Sequence, residues 1–359
     1  MSDNHRRYRS IKKALRQLLP NAGKGLDILA ALVSGIVGSK RTHYSHIASK
    51  VPGNTKPESR VKSYSRWVNE VEEEQEVHWL PFAEELLANL AAVNTLGLVI
   101  DGSEVGRKCL ALVVSVVYKG RALPIAWIVV KGSKGHFPED THVKLVQKVH
   151  ELVPEGVTDV VFLGDGEFDG TLLQAELEKY FWRYVCRTAS NTILSHHGVE
   201  CAYQDLPLQA GERWSISDIS FTRKYYGPIL AIGWWRLGCQ EPIYLVTNLD
   251  SADEACAWYQ KRFRIETFFS DQKSRGFHLH KSHLSDPARI ARLMLAACLA
   301  YLWIVYLGAL AMATSFNREI HRTERCDLSL FQLGLRVLDY LLDNDLPIFV
   351  SFTLSDYVA

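Results

Sequence analysis

Apolar positions change their period along the chain. Up to about residue 90 they follow helical spacing. Residues 8–20 read as a short basic helix, 27–38 (DILAALVSGIVG) as an apolar helix, and 59–69 (SRVKSYSRWVN) as a helix carrying Arg60, Lys62, Arg66 and Trp67. Between them SKRTHYSHIASK is ended by Pro52, Gly53 and Pro57. From Leu96 the pattern turns to strands: LGLVI (96–100) ending at Asp101, then LALVVSVVY (110–118) and ALPIAWIVV (122–130) joined by a KGR turn. After the loop KGSKGHFPEDT, the stretch HVKLVQKVHELV repeats apolar residues at helical spacing, TDVVFLG (158–164) is a strand delivering Asp165, GTLLQAELEKY a helix and FWRYVCR a strand. Three strand-like runs follow between 190 and 250, separated by YYG and GCQ turns. Residues 327–343 form one more amphipathic helix, and the tail LPIFVSFTLSDYVA carries no clear pattern.

One run tests the class of the whole chain. From Leu293 to Phe316 no residue is formally charged, which is long enough to span a bilayer. It follows SDPARIAR, with Pro287 at the first helical turn. Its Cys, Tyr, Thr and Ser content suits a core helix packed on all sides better than a membrane span.

Length and charge add to this picture. A chain of 359 residues holds two or three domains. Its net charge of +1 hides an asymmetry: residues 1–69 carry 14 Lys and Arg against three acids, and residues 70–90 carry seven glutamates and no Lys or Arg. A basic leading segment of short helices suits a polyanion partner, and its plainer reading is a solvated basic surface. The acidic EVEEEQE marks a boundary. Trp67 reads as a core residue. Seven cysteines show no C-x-x-C pair, which points to reduced thiols in a cytoplasm, and the polar start lacks the apolar run of a signal peptide. The histidines, including the pair His196-His197 and the group 278, 280 and 283, show no zinc-ligand spacing. No P-loop, dinucleotide fingerprint or nucleophile elbow is present.

The chemistry concentrates in YQKRFRIETFFSDQK, where Tyr259, Arg262, Glu266 and Lys273 follow at offsets of three, four and seven. On a single helix those steps keep the four side chains near one face. A carboxylate framed by two cations and a phenol suits metal binding beside phosphate. A solvated helix with internal ion pairs accounts for the spacing equally well.

Y-(2)-R-(3)-E-(6)-K resembles, position for position, the signature of a group of bacterial insertion-sequence transposases of the DDE type. VIDGSEVGR (99–107) and VFLGDGEFDG (161–170) resemble the group's two aspartate motifs, and the similarity covers most of residues 95–335. Periodicity alone gives mixed α/β. The resemblance implies a ribonuclease-H-like catalytic core interrupted by a β-rich insertion, behind an N-terminal helical DNA-binding domain similar to helix-turn-helix. The implied bounds are 1–75 for the basic domain, 95–189 and 251–316 for the two parts of the core, 190–250 for the insertion, and 317–359 for a helical C-terminal region.

The resemblance also implies a catalytic triad of Asp101, Asp165 and Glu266 holding Mg²⁺, for which Mn²⁺ substitutes. Taken alone, an Asp after an apolar strand is more often a turn or cap residue than a ligand. The resemblance reverses that preference. Neighbouring Glu104 and Glu167 read as structural or solvated, and Asp169 as an N-cap. Tyr259, Arg262 and Lys273 are implied phosphate contacts to transposon-end DNA. Some members of the group stack a flipped base on an aromatic of the inserted region, a role open here to Trp235, with Trp234 and Trp214 as alternatives and a core role for each as the plainer reading. Cleavage at the terminal inverted repeats of double-stranded DNA, strand transfer into target DNA and a synaptic homodimer are the implied activity and partners, with no membrane. The rival reading is a catalytically inactive DNA-binding remnant.

Overall fold

The computed structural model describes residues 1–20, 23, 25–69, 73–132, 136–314, 316–321 and 326–354, with the backbone alone for 73–78. The first acidic residues of EVEEEQE, three residues of the KGSKGHFPEDT loop and the last five residues of the tail lie outside the described residues.

Five helices lead: α1 (Asp3–Leu18), α2 (Gly25–Ser39), α3 (Tyr44–Ser49), α4 (Pro57–Asn69) and α5 (Glu73–Ala91). Strands β1 (Leu96–Gly106), β2 (Cys109–Tyr118) and β3 (Arg121–Lys131) form an antiparallel meander. The β2–β3 turn is the two-residue Lys119-Gly120, both at positive φ (40° and 80°), the geometry whose twist matches the flanking strands. Helix α6 (Glu139–Leu152) then carries the chain across to β4 (Val160–Gly164), and α7 (Thr171–Lys179) to β5 (Arg183–Thr188), with β4 parallel to β1 and β5 parallel to β4.

The β-rich run 190–250 continues the same sheet. Strands β6 (Ile193–His196), β7 (Val199–Ala202), β8 (Arg213–Phe221), β9 (Tyr226–Trp234) and β10 (Ile243–Thr247) complete a ten-stranded sheet of order β3-β2-β1-β4-β5-β10-β9-β8-β6-β7. Strand β10 pairs antiparallel with β5, Val246 opposite Cys186. The sequence shows three of these strands. The hairpin β6–β7 escapes because its strands are only four residues long and half of each is polar or exposed.

The helices α8 (Ala252–Lys261) and α9 (Arg264–Gln272) follow, then α10 (Pro287–Ala313), the short α11 (Asn317–Ile320) and α12 (Leu330–Asp343). Helix α10 meets the length and composition of a membrane span, yet 89% of its apolar window is buried inside the fold. It packs on α12, α2, α4 and β3. Its crossing with α12 is backbone-close: a Cβ on Gly308 would lie 1.9 Å from the Leu330 carbonyl oxygen, and one on Gly334 1.8 Å from that of Ile304. Buried Arg292 of α10 donates to the Trp67 carbonyl at 2.9 Å, and Trp67 itself is buried. One cluster of buried apolar side chains runs from α1 through the sheet to α12.

Candidate active site

The sheet register brings the first two carboxylates together. Strands β1 and β4 pair in parallel from Leu96 opposite Val160 to Val99 opposite Leu163, a constant offset of 64. Asp101 lies two residues past the last pair on β1, and Asp165 follows β4 directly, near enough for its charge to be felt at Asp101. Asp101 does not end its strand as expected from the sequence. Strand β1 runs on to Gly106, with Asp101 opposite Val113 of β2. Pairing with β4 ends at Val99, and the backbone continues as strand on β2 alone.

Backbone donors fix both carboxylates. Asp101 Oδ1 accepts the Gly102 N–H at 2.7 Å, and Asp165 Oδ1 accepts the Glu167 N–H at 3.0 Å. Burial, then the charge of Asp165, pushes Asp101 up to about 7, with Glu266 adding to the rise and Arg262 opposing it.

The third carboxylate arrives through Arg262. The signature stretch is not one helix: α8 ends at Lys261, the chain turns through Arg262 and Phe263, and α9 starts at Arg264. Nearly buried at the turn, Arg262 places Nη1 3.9 Å from Asp101 Oδ2 and Nη2 3.3 Å from Glu266 Oε1. Its guanidinium lies 4.3 Å from the Phe263 ring centroid and 5.8 Å from that of Tyr259. Its Nε is buried without a hydrogen-bond partner. Glu266 is the exposed member, its side chain 57% accessible. At the C-cap of α9, Lys273 donates from Nζ to Ser103 Oγ at 2.6 Å. Burial lowers its pKa, opposed by Glu104 and Asp101.

Two other expected roles change. Tyr259 is 2% exposed and its hydroxyl is pushed up first by burial, so it packs behind Arg262 and offers no surface for a direct phosphate contact. Asp169 does not cap α7. The N-cap is Gly170, and the Leu172 and Leu173 N–H groups donate to Glu139 Oε1 at 2.8 and 3.3 Å. Asp169 instead accepts from Thr188 Oγ1 at 2.5 Å. Glu167 is structural: it accepts the Phe137 N–H and lies 3.4 Å from His136 and 3.6 Å from buried His142. Burial would raise its pKa, but these partners hold it below the usual carboxylate value.

A cavity of about 590 Å³ opens beside Asp165 and Arg262. Its walls add Arg187 and Thr188 of β5, Gln204, Glu241 and Tyr244. The sequence gives no sign of Arg187 and Glu241, because only the pairing of β5 with β10 brings them to the site. Trp235 stands just past β9, partly exposed, its Nε1–H donated to the Cys239 carbonyl at 3.0 Å. Trp214 stacks on Tyr203, and Arg236 covers the Trp234 ring at 5.3 Å.

Among the described residues no three His, Cys, Asp or Glu side chains converge closely enough to hold a metal ion as they stand. Glu266 leans on Arg262 instead. The donor set nonetheless fits a hard divalent cation. It is all carboxylate oxygen, and burial, then the charge of Asp165, disfavours the ionised form of Asp101, a penalty that a bound cation would offset.

A family model described as the transposase DDE domain matches residues 100–303, which span Asp101, Asp165, Glu266 and most of α10. A search of curated proteins returns no match.

Proposed function

The chain belongs to the transposase DDE domain family, whose model matches more than half of its length, and on that premise we propose that it cuts DNA at transposon ends and joins the released 3′-hydroxyls to target DNA. The observation that carries the reading is the register that sets Asp101 beside Asp165, with Glu266 tied to Asp101 through one arginine. We assign it to the group with the Y-(2)-R-(3)-E-(6)-K signature, on Tyr259, Arg262, Glu266 and Lys273. The order β3-β2-β1-β4-β5, with β4 and β5 parallel to β1, supports a ribonuclease-H-like core. The basic helices α1–α4 are its proposed DNA-binding region.

Asp101, Asp165 and Glu266 would hold Mg²⁺ or Mn²⁺, which when bound activates the attacking oxygen and stabilises the leaving one. The protein's own part is orientation. The backbone N–H of Gly102 and that of Glu167 hold the two aspartates in place. Arg262 keeps Glu266 within reach while it is still exposed to incoming DNA. Lys273 and Arg187 flank the carboxylates as phosphate partners, which position a strand without reading it. Tyr259 serves by backing Arg262. With Trp214 and Trp234 already covered on a face, Trp235 is the proposed stacking partner for an extruded base. Two ends must be cut together, so a homodimer is the proposed working unit in the cytoplasm.

Cleavage of a labelled duplex carrying the element's own end tests the proposal. Wild type nicks at the end with Mg²⁺ or Mn²⁺ and not with EDTA. Glu266→Gln loses at least about 10²-fold, since even partners one step removed from a metal cost 10–100-fold. A wild type that binds the end and never cuts with any divalent metal refutes the enzyme.

A further inference from the structure

Beyond Lys273 the site opens onto a seam where the N-terminal helices meet the loop after α9. Arg107, in the β1–β2 turn, donates from Nη2 to His283 Nδ1 at 2.9 Å. The His283 ring lies 5.0 Å from that of His43, which lies 5.8 Å from that of His46. On the other side, the His278 and His280 rings are 6.0 Å apart, each with Nδ1 buried and without a hydrogen-bond partner. Thr42 Oγ1 donates to the His278 carbonyl at 3.3 Å and pins the two segments together.

The charges along this seam repeat one sign. Burial and then Lys281 lower both His278 and His280, Arg41 adding to the first and Lys273 to the second. Burial and then His283 and His46 lower His43. Among the described residues, Glu104 is the one acid felt at these three imidazoles. Arg41, Arg107, Lys281 and His283 are exposed. A cleft of about 250 Å³ at the seam is lined by Glu104, Gly106, Arg107, Lys273 and His280.

Crowded like charges raise the free energy of the empty face, and a polyanion laid along it reverses the sign. Duplex DNA presents one charge per about 1.7 Å of axis. Neutral imidazole still donates an N–H to a phosphate oxygen, so the histidines serve whether charged or not. We propose that the seam of Arg41, His43, Arg107, His280, Lys281 and His283 binds the phosphate backbone of duplex DNA flanking the cleavage point. The seam gives a use to His280 and His283 of the histidine group, and the proposal rests on the DNA reading above.

Binding of a labelled duplex of arbitrary sequence, read by anisotropy in EDTA between 50 and 200 mM salt, tests the seam. For Arg107→Gln/Lys281→Gln, the slope of log affinity against log salt becomes shallower by about two, at 0.9 per lost phosphate contact. The equal-charge control Lys144→Gln/Arg318→Gln keeps the wild-type slope, and so does the conservative Arg107→Lys/Lys281→Arg. An unchanged slope in Arg107→Gln/Lys281→Gln overturns the seam and leaves the transposase reading standing. Loss of binding in Arg107→Lys/Lys281→Arg also overturns it, because the effect is then one of packing. A wild type that binds no duplex at all removes both proposals.

Discussion

Asp101 shows at one residue what the site costs the fold. Its carboxyl is lifted from an ordinary 3.8 to about 7, first by burial and then by Asp165. For an acid lifted in the folded state, stability is full below the unfolded value and is lost as pH rises through the folded one. Metal-free protein should therefore lose stability between about pH 4 and pH 7, by roughly 2–4 kcal/mol, since each tenfold change in proton affinity is worth about 1.4 kcal/mol. Asp101→Asn should flatten that loss and melt higher than wild type at pH 8 in EDTA. A wild type equally stable at pH 5 and pH 8, all else held, contradicts the assignment. Arg262 is the counterweight. Arg262→Lys keeps the charge and gives up the fork that reaches both Asp101 and Glu266. Cleavage should fall about 10–100-fold with the fold intact, the usual cost of losing a partner that orients a ligand. Both aspartates were legible in the sequence from the apolar runs before them and the resemblance. The burial of Tyr259 was not. A tyrosine three residues before an arginine gives no sign of which one a helix end will bury.

At the scale of elements, the signature helix is held by a contact that its spacing does not advertise. Asp271 of α9 pairs with Arg121 of β3 at 2.8 Å, both nearly buried. Burial still pushes Asp271 up to about 6 against the pull of Arg121, so the pair is a fixed link with little net stabilisation. Breaking one side leaves a buried charge. Asp271→Ala should cost about 3–5 kcal/mol in denaturant unfolding, and Arg121→Met/Asp271→Leu much less. Equal losses in the two variants would deny that the buried charge is the cause. The α10–α12 crossing makes a similar case. Gly308→Ala puts a methyl into the Leu330 carbonyl and should cost about 1–3 kcal/mol by overpacking. A neutral outcome would mean that the two helices can part freely. Helix α10 was readable as a core helix from the Cys, Tyr, Thr and Ser within its apolar run, and its start from Pro287. The glycines that set its approach to α12 were not, because a close crossing is a property of two helices at once.

Over the whole molecule, the parts read as separate in the sequence share one sheet and one buried cluster. The run 190–250 was legible as β-rich. Its union with β5 was not, since which strand lies beside β10 depends on a pairing between residues far apart in the chain, Val246 with Cys186. The same long-range pairing brings Arg187 and Glu241 to the cavity. The order β3-β2-β1-β4-β5 puts Asp101 on β1 and Asp165 just past the end of the neighbouring β4, and the sheet then continues past β5 before the chain returns with Glu266. Asp101, Asp165 and Glu266, far apart in the chain, come to one region only in the finished fold, Glu266 by way of Arg262. As proposed above, they act as one metal site. Titration of the purified protein with Mn²⁺, followed by the loss of the free-ion paramagnetic resonance signal, measures that directly. Wild type should bind, Asp101→Asn, Asp165→Asn and Glu266→Gln should each lose about tenfold or more in affinity, and Glu104→Gln should bind as wild type does. Wild-type affinity in all three triad variants would contradict the account.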